Sequence, residues 1–216
     1  MKAEARLYYA HDPMCSWCWG FAPMWDKLEN ELTKLYSDQL RIEKLLGGLA
    51  ADSDEEMPEH MQQYLQKTWQ TIQQKIPGTQ FNFDFWKSCK PRRSTWPACR
   101  AIIAARNQQK EFDGLMTWAI QQAYYLKARN PSDRDTLISL AGEIGADKTK
   151  FAEDLDAEET RNQHDQEMQW VRQLGIQGFP SLVLVFGQQA NGVQVDFGNT
   201  QSMLVRVEQL LTAVAA

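Results

Sequence analysis

The chain has 216 residues, with 23 Lys plus Arg against 28 Asp plus Glu, so it carries a net charge of −5. That balance excludes strong non-specific binding to nucleic acid, which needs a surplus of cations to displace counter-ions. Hydrophobic residues make up 43% and charged residues 24%, as in a globular protein, and no apolar run reaches the ~20 residues that cross a bilayer. Neither nucleic acid nor membrane is expected as a partner.

Residues 1–6 have no apolar signal core, so the sequence reads as cytoplasmic. Leu7-Tyr8-Tyr9-Ala10 is β-prone and reads as a first strand, broken by His11-Asp12-Pro13-Met14. From Cys15, the steps Phe21, Trp25, Leu28, Leu32 and Leu35 predict a helix ending near Tyr36. Residues 40–46 supply a second strand, closed by Gly47-Gly48. The long middle is helical. Met57, Met61, Leu65, Trp69, Ile72 and Ile76 share one face, and Pro77-Gly78 stops that helix. Residues 81–86 form an aromatic connector. Ser94 or Thr95 can cap a helix running to about residue 109, with Pro97 in its first turn. Further helices are predicted over about 111–129, 133–144 (capped by Ser132), 147–155 and 158–174. Residues 181–186 are a strongly β-branched strand, 187–192 a turn, and 193–197 an alternating strand. A last helix starts at Asn199 or Thr200, with Met203, Leu204, Val207, Leu210 and Leu211 on its apolar side. The order implies an α/β fold: one four-stranded mixed sheet with flanking helices, carrying a large all-helical insertion. Residues 1–50 and 175–216 would form the two parts of the sheet domain and 51–174 the insertion.

The chemistry concentrates in Cys15-Ser16-Trp17-Cys18, a C-x-x-C at the join of strand and helix. Free backbone N–H groups and the positive end of the helix dipole favour the thiolate of Cys15 over its thiol. Cys18 lies one turn away on the same face and can attack a mixed disulfide formed at Cys15. Cys89 and Cys99 are solitary. Their ten-residue separation lacks the short ligand spacing of structural zinc sites, so no metal is expected, and two reduced structural thiols are the simpler reading. A second feature is Phe179-Pro180, a proline opening a strand and hence a candidate cis-proline. Among the other aromatics, Trp17 and Trp19 could present an apolar rim to substrates, while Trp69, Trp86, Trp96, Trp118 and Trp170 read as core. Arg92, Arg93 and Arg100 could attract carboxylates, although such a cluster is more often a solvated face.

Together, Cys15-Ser16-Trp17-Cys18 and Phe179-Pro180 resemble the thioredoxin superfamily, in particular its DsbA-like branch with a helical insertion. The stretch from His11 to Gly20, HDPMCSWCWG, looks like the cytosolic predicted protein-disulfide isomerases of that branch. Ser94-Thr95-Trp96-Pro97-Ala98-Cys99-Arg100 resembles a segment that in those relatives usually carries a histidine where Cys99 stands and typically faces the active site. The resemblance implies a thioredoxin-like fold and a thiol–disulfide oxidoreductase, either a disulfide reductase or an isomerase, needing no cofactor. Cys15 would be the nucleophile and Cys18 the resolving thiol. Pro180 in cis would lie beside the sulfurs, and the backbone of Phe179 would pair with an extended substrate. Ser16 and Trp17 would tune the potential and contact substrate. Protein or small-molecule disulfides, with glutathione as a further candidate, would be the partners. Many relatives carry a buried acid six positions before the first cysteine; here that residue is Tyr9, a poor base. His11 and Asp12 are the nearest substitutes for proton transfer, against a bland reading in which Asp12 caps the turn and His11 is a partly exposed loop residue. The runner-up function is a glutathione-dependent isomerase or transferase of the 2-hydroxychromene-2-carboxylate isomerase or kappa-class type. Those enzymes typically place Ser at the nucleophile position and do not need the second cysteine.

Overall fold

In the computed structural model, which describes residues 5–215, the first strand is β1 (Ala5–His11). Residues 1–4, most of the stretch read for a signal core, lie outside the described residues. β1 sits at the centre of the sheet and is buried along nearly its whole length. Leu7 and Tyr9 point to one face and Tyr8 and Ala10 to the other, which is why the strand reads as an apolar run rather than an alternation. α1 (Ser16–Tyr36) follows and lays Phe21, Trp25, Leu28 and Leu32 on the first face. β2 (Leu40–Leu46) then pairs parallel to β1, with Tyr9 opposite Lys44.

Seven helices separate β2 from the next strand: α2 (Glu59–Lys75), α3 (Phe85–Ser88), α4 (Trp96–Gln108), α5 (Phe112–Tyr125), α6 (Arg134–Glu143), α7 (Lys148–Asp156) and α8 (Glu158–Gln173). They enclose a second core built on Trp69, Phe85, Ile102, Ile103, Tyr125 and Phe151. The chain then returns as β3 (Ser181–Phe186), antiparallel to β1, and β4 (Gln189–Val193), antiparallel to β3. α9 (Thr200–Ala215) closes the first face with Met203, Leu204 and Val207. The strand order is β2-β1-β3-β4. This is a four-stranded mixed sheet with flanking helices, the thioredoxin-like architecture. Among the described residues no helix is long and apolar enough to cross a membrane.

Four expectations need correction. The hairpin turns at Gly187-Gln188, not over 187–192, because Gly187 adopts a positive φ of 58° and lets Phe186 pair with Gln189 at once. The last strand is therefore 189–193, and 194–197 lie beyond it. α5 stops at Tyr125 rather than 129: Ala128 takes a φ of +49°, and the Arg129 N–H bonds back to the carbonyl of Ala123. Ser132 is no cap, since its hydroxyl donates to the Ser94 carbonyl and Asp133 takes the capping position. Trp118 and Trp170 are not core, being 50% and 39% exposed; periodicity places them on helices but does not say which neighbour covers them.

Gly47 and Gly48 end β2 where other elements crowd in. A Cβ on Gly47 would lie 2.1 Å from Cζ of Phe179, and one on Gly48 2.6 Å from both Sδ of Met168 and Nε1 of Trp96. Gly47→Ala should therefore destabilise by ~1–3 kcal/mol, the usual cost of overpacking. Urea unfolding checks this. Combining it with Phe179→Ala should recover part of the loss, because the three atoms nearest the added Cβ all belong to that ring.

Candidate active site

Cys15 is the N-cap of α1, with extended φ/ψ of −77° and 114°. Its amide donates to the Asp12 carbonyl at 3.0 Å, which closes the turn at Pro13-Met14 and aims the helix start at the end of the sheet. The Cys15 Sγ accepts the Cys18 backbone N–H at 3.4 Å, one of the donors that a helix start leaves unpaired. The Cys15 thiol also lies 3.4 Å from the carbonyl of Phe179, to which it donates. The Phe179–Pro180 peptide bond is cis. So the two motifs, 164 residues apart in sequence, meet at one sulfur.

The two thiols differ in access. Cys15 keeps 6% of its surface exposed and Cys18 none. All four cysteines are free. Burial, then the neighbouring Cys15, pushes the Cys18 thiol well above its ordinary range. The linker is held from the helical side: the Ser16 hydroxyl accepts from Nε1 of the buried Trp69 at 2.9 Å. Trp17 is half-buried, packs edge-on against Phe197 and lies beneath Nζ of Lys75. Trp17, Lys75, Ile76, Phe179, Pro180 and Phe197 line a shallow cleft of about 460 Å³ beside Cys15. Trp19 does not share this rim. It is buried, stacks on Tyr125 and donates to the Gln80 carbonyl at 3.0 Å.

His11 and Asp12 are both buried, contrary to the bland reading of His11 as a loop residue. His11 ends β1 and stacks on Tyr9 at 4.9 Å. Burial, with Lys44 and Arg106 nearby, lowers its pKa to about 3, so it is neutral at pH 7. Asp12 is fully buried. Its Oδ1 accepts from the Met14 N–H at 2.8 Å; its Oδ2 accepts from the Leu49 N–H at 3.0 Å, the Thr95 hydroxyl at 2.7 Å and the Cys99 thiol at 3.8 Å. Burial outweighs these donors and raises the Asp12 pKa above the ordinary carboxylate value. Tyr9 is also buried, and its phenol is pushed further up by burial and by the two cysteines, so it remains a poor base.

Thr95 and Cys99 were not read from the sequence as neighbours of Asp12. The available signals were the resemblance that turned the segment 94–100 toward the active site and the i, i+4 spacing that puts the N-cap Thr95 and Cys99 of α4 on one face. The arginines do not gather into an anion site. Arg100 grips Asp52 with two hydrogen bonds, and Arg92 bonds the Ser132 carbonyl and Asp133. Cys89 and Cys99 have different partners, since the Cys89 thiol donates to the Ala128 carbonyl. Among the described residues no group of three or more His, Cys, Asp or Glu side chains could hold a metal ion.

The thioredoxin family profile matches residues 8–208, nearly the whole chain. The chain belongs to the thioredoxin family. Within that family it has the fold of the DsbA-like thiol–disulfide oxidoreductases. A candidate protein disulfide isomerase from Nitrosomonas europaea superposes with a TM-score of 0.80 at 25% identity, covering 97% of this chain and 98% of its own. The cytosolic disulfide reductase DsbM from Pseudomonas aeruginosa superposes at 0.75 with 23% identity, covering 96% and 99%, and has also been solved with GSH. Among curated relatives, the ClpXP adapter protein SpxH of Halalkalibacterium halodurans is 24% identical over 194 residues. The match takes in 84% of this chain but 59% of that relative's length.

The buried, neutral His11 couples this thioredoxin fold to pH. Its folded pKa lies below the unfolded value of 6.5, so its contribution is fully present above pH 6.5 and is lost as the pH falls toward 3. Relative to His11→Phe, the wild type should lose up to ~1.4 kcal/mol of stability per pH unit below 6.5. Urea unfolding at pH 7.5, 5.5 and 4.5 measures the difference.

Proposed function

We propose that the protein is a thiol–disulfide oxidoreductase working as a disulfide reductase or isomerase through Cys15 and Cys18. The observation that carries this reading is the asymmetric pair at the start of α1: Cys15, which keeps a small exposed area and faces the Phe179 carbonyl, and Cys18, which has none. In the proposed cycle the Cys15 thiolate attacks a substrate disulfide. A bond forms from Cys15 to one substrate sulfur, and the other leaves as a thiolate that takes a proton from water. Cys18 then loses its proton and attacks Cys15. The Cys15–Cys18 disulfide forms and the second substrate thiolate leaves, so the substrate gains two electrons and the enzyme loses two. A low-molecular-weight thiol such as glutathione, by two exchanges, would restore the dithiol.

Asp12 suits the proton of Cys18 better than His11 does. Its raised pKa brings it nearer that of a thiol, whereas a base with a pKa near 3 holds a proton poorly at neutral pH. The cleft beside Cys15 would receive the substrate chain, with Phe179 offering backbone groups, Pro180 and Trp17 offering apolar walls, and Ser16 keeping the linker in place. A cytoplasmic location and glutathione as a partner are supported by the names of the P. aeruginosa structures. The second cysteine weighs against the isomerase and transferase alternative, which does not need it.

Cys15→Ser should reduce turnover of insulin disulfides by at least 100-fold; undiminished activity would remove the assignment. Cys18→Ala should accumulate a mixed disulfide at Cys15, seen as an adduct by intact mass. A Cys18→Ala enzyme that turns over normally would instead favour the glutathione-dependent alternative.

A further inference from the structure

We infer that Thr95 and Cys99 of α4 are positioning residues that set the charge state of Asp12, and through it the rate at which Cys18 resolves a mixed disulfide. The inference rests on Asp12 being the proton acceptor in the proposed cycle.

Asp12 is fully buried, and among the described residues no cationic side chain pairs with it. A buried carboxylate without a counter-ion depends on hydrogen bonds alone. Two of its four donors are backbone amides, at Met14 and Leu49, that no side chain controls. The other two are the Thr95 hydroxyl and the Cys99 thiol, one helical turn apart. The titratable groups that feel the charge of Asp12 are Cys18 from α1, Cys99 from α4 and Tyr124 from α5, each pushed up by burial. All are neutral acids, so negative charge at Asp12 is opposed by any thiolate beside it and held only by its donors.

Thr95 is also placed to serve both charge states. It occupies the N-cap position of α4 yet makes no capping bond. Its hydroxyl has one proton and two acceptors in range, Oδ2 of Asp12 at 2.7 Å and the Ala50 carbonyl at 3.4 Å. With Asp12 ionised, the proton points to the carboxylate. With Asp12 protonated, the hydroxyl can turn to Ala50 and accept from the acid. The Ala50 amide, 3.2 Å from Oγ1, holds the oxygen in place in either state. Valine keeps the shape and loses both options.

The test is the pH dependence of one step. The mixed disulfide between Cys15 and 5-thio-2-nitrobenzoate is formed in a stopped-flow instrument. Attack by Cys18 on Cys15 then forms the intramolecular disulfide and releases the coloured thiolate, while the Cys18 proton passes to Asp12. Loss of one hydrogen bond to a carboxylate makes protonation about ten-fold easier. Thr95→Val should therefore move the pH midpoint of release up by about one unit, and Thr95→Ser should restore it. Cys99→Ala should move it the same way by less, since the S–H donor is weak and distant. Asp12→Asn should remove the inflection. An inflection kept in Asp12→Asn would overturn the role of Asp12 and this inference with it. An inflection lost there but unmoved in Thr95→Val would overturn this inference alone, as would Thr95→Ser shifting as far as Thr95→Val. If Thr95→Val does not fold, an unmoved midpoint in Cys99→Ala decides against the inference.

Discussion

Asp12 is a carboxylate removed from water with, among the described residues, no cation paired with it, so the segments that donate to it must all be in place together. It draws in the turn before Cys15 through Met14, the loop after β2 through Leu49, and the start of α4 through Thr95. Leaving any of these donors unmade would cost on the order of 1–3 kcal/mol for the buried group. The same turn supplies the Asp12 carbonyl that accepts the Cys15 amide. One residue thus ties the sheet, the helical block and the redox motif to a common geometry.

The motif also lies where two cores meet. Met14 and Trp19, on either side of it, belong to the core of the helical block, whereas Tyr9 and Phe21 belong to the core between sheet, α1 and α9. That placement explains the unequal thiols. Cys18, one turn into the helix, has no exposed surface, while Cys15 caps the helix, keeps 6% of its surface exposed and donates to the Phe179 carbonyl in the Phe179–Pro180 loop. The loop is steadied in turn by β2, because the Phe179 ring occupies the space that a side chain on Gly47 would need. His164 of α8 bonds the Gly47 carbonyl at 2.7 Å and adds a second hold on that strand end.

Much of this was legible in the chain. Strand and helix periods located β1, α1, β2, β3 and the long helices to within a few residues, because apolar spacing is dictated by the face that each element buries. The C-x-x-C and Phe179-Pro180 motifs named the residues that meet at one sulfur. Errors fell where a local pattern competes with a contact. Val193 to Phe197 alternates like a strand, yet a positive φ at Gly187 sets the pairing earlier and leaves that alternation outside the sheet. Thr95 has the chemistry of a cap, but a buried carboxylate competes for its hydroxyl and wins.

By itself, then, the sequence determined the elements, their order, the family resemblance and the pair of cysteines at a helix start, since these depend on neighbours three or four residues apart. Tertiary structure alone decided the environment of each reactive group. It buried His11 and made it neutral, gave Asp12 two side-chain donors from a helix more than eighty residues downstream, exposed Trp118 and hid Trp19. Proton affinity and solvent access are set by what surrounds a group in space, and those surroundings are assembled from segments that the linear chain keeps far apart.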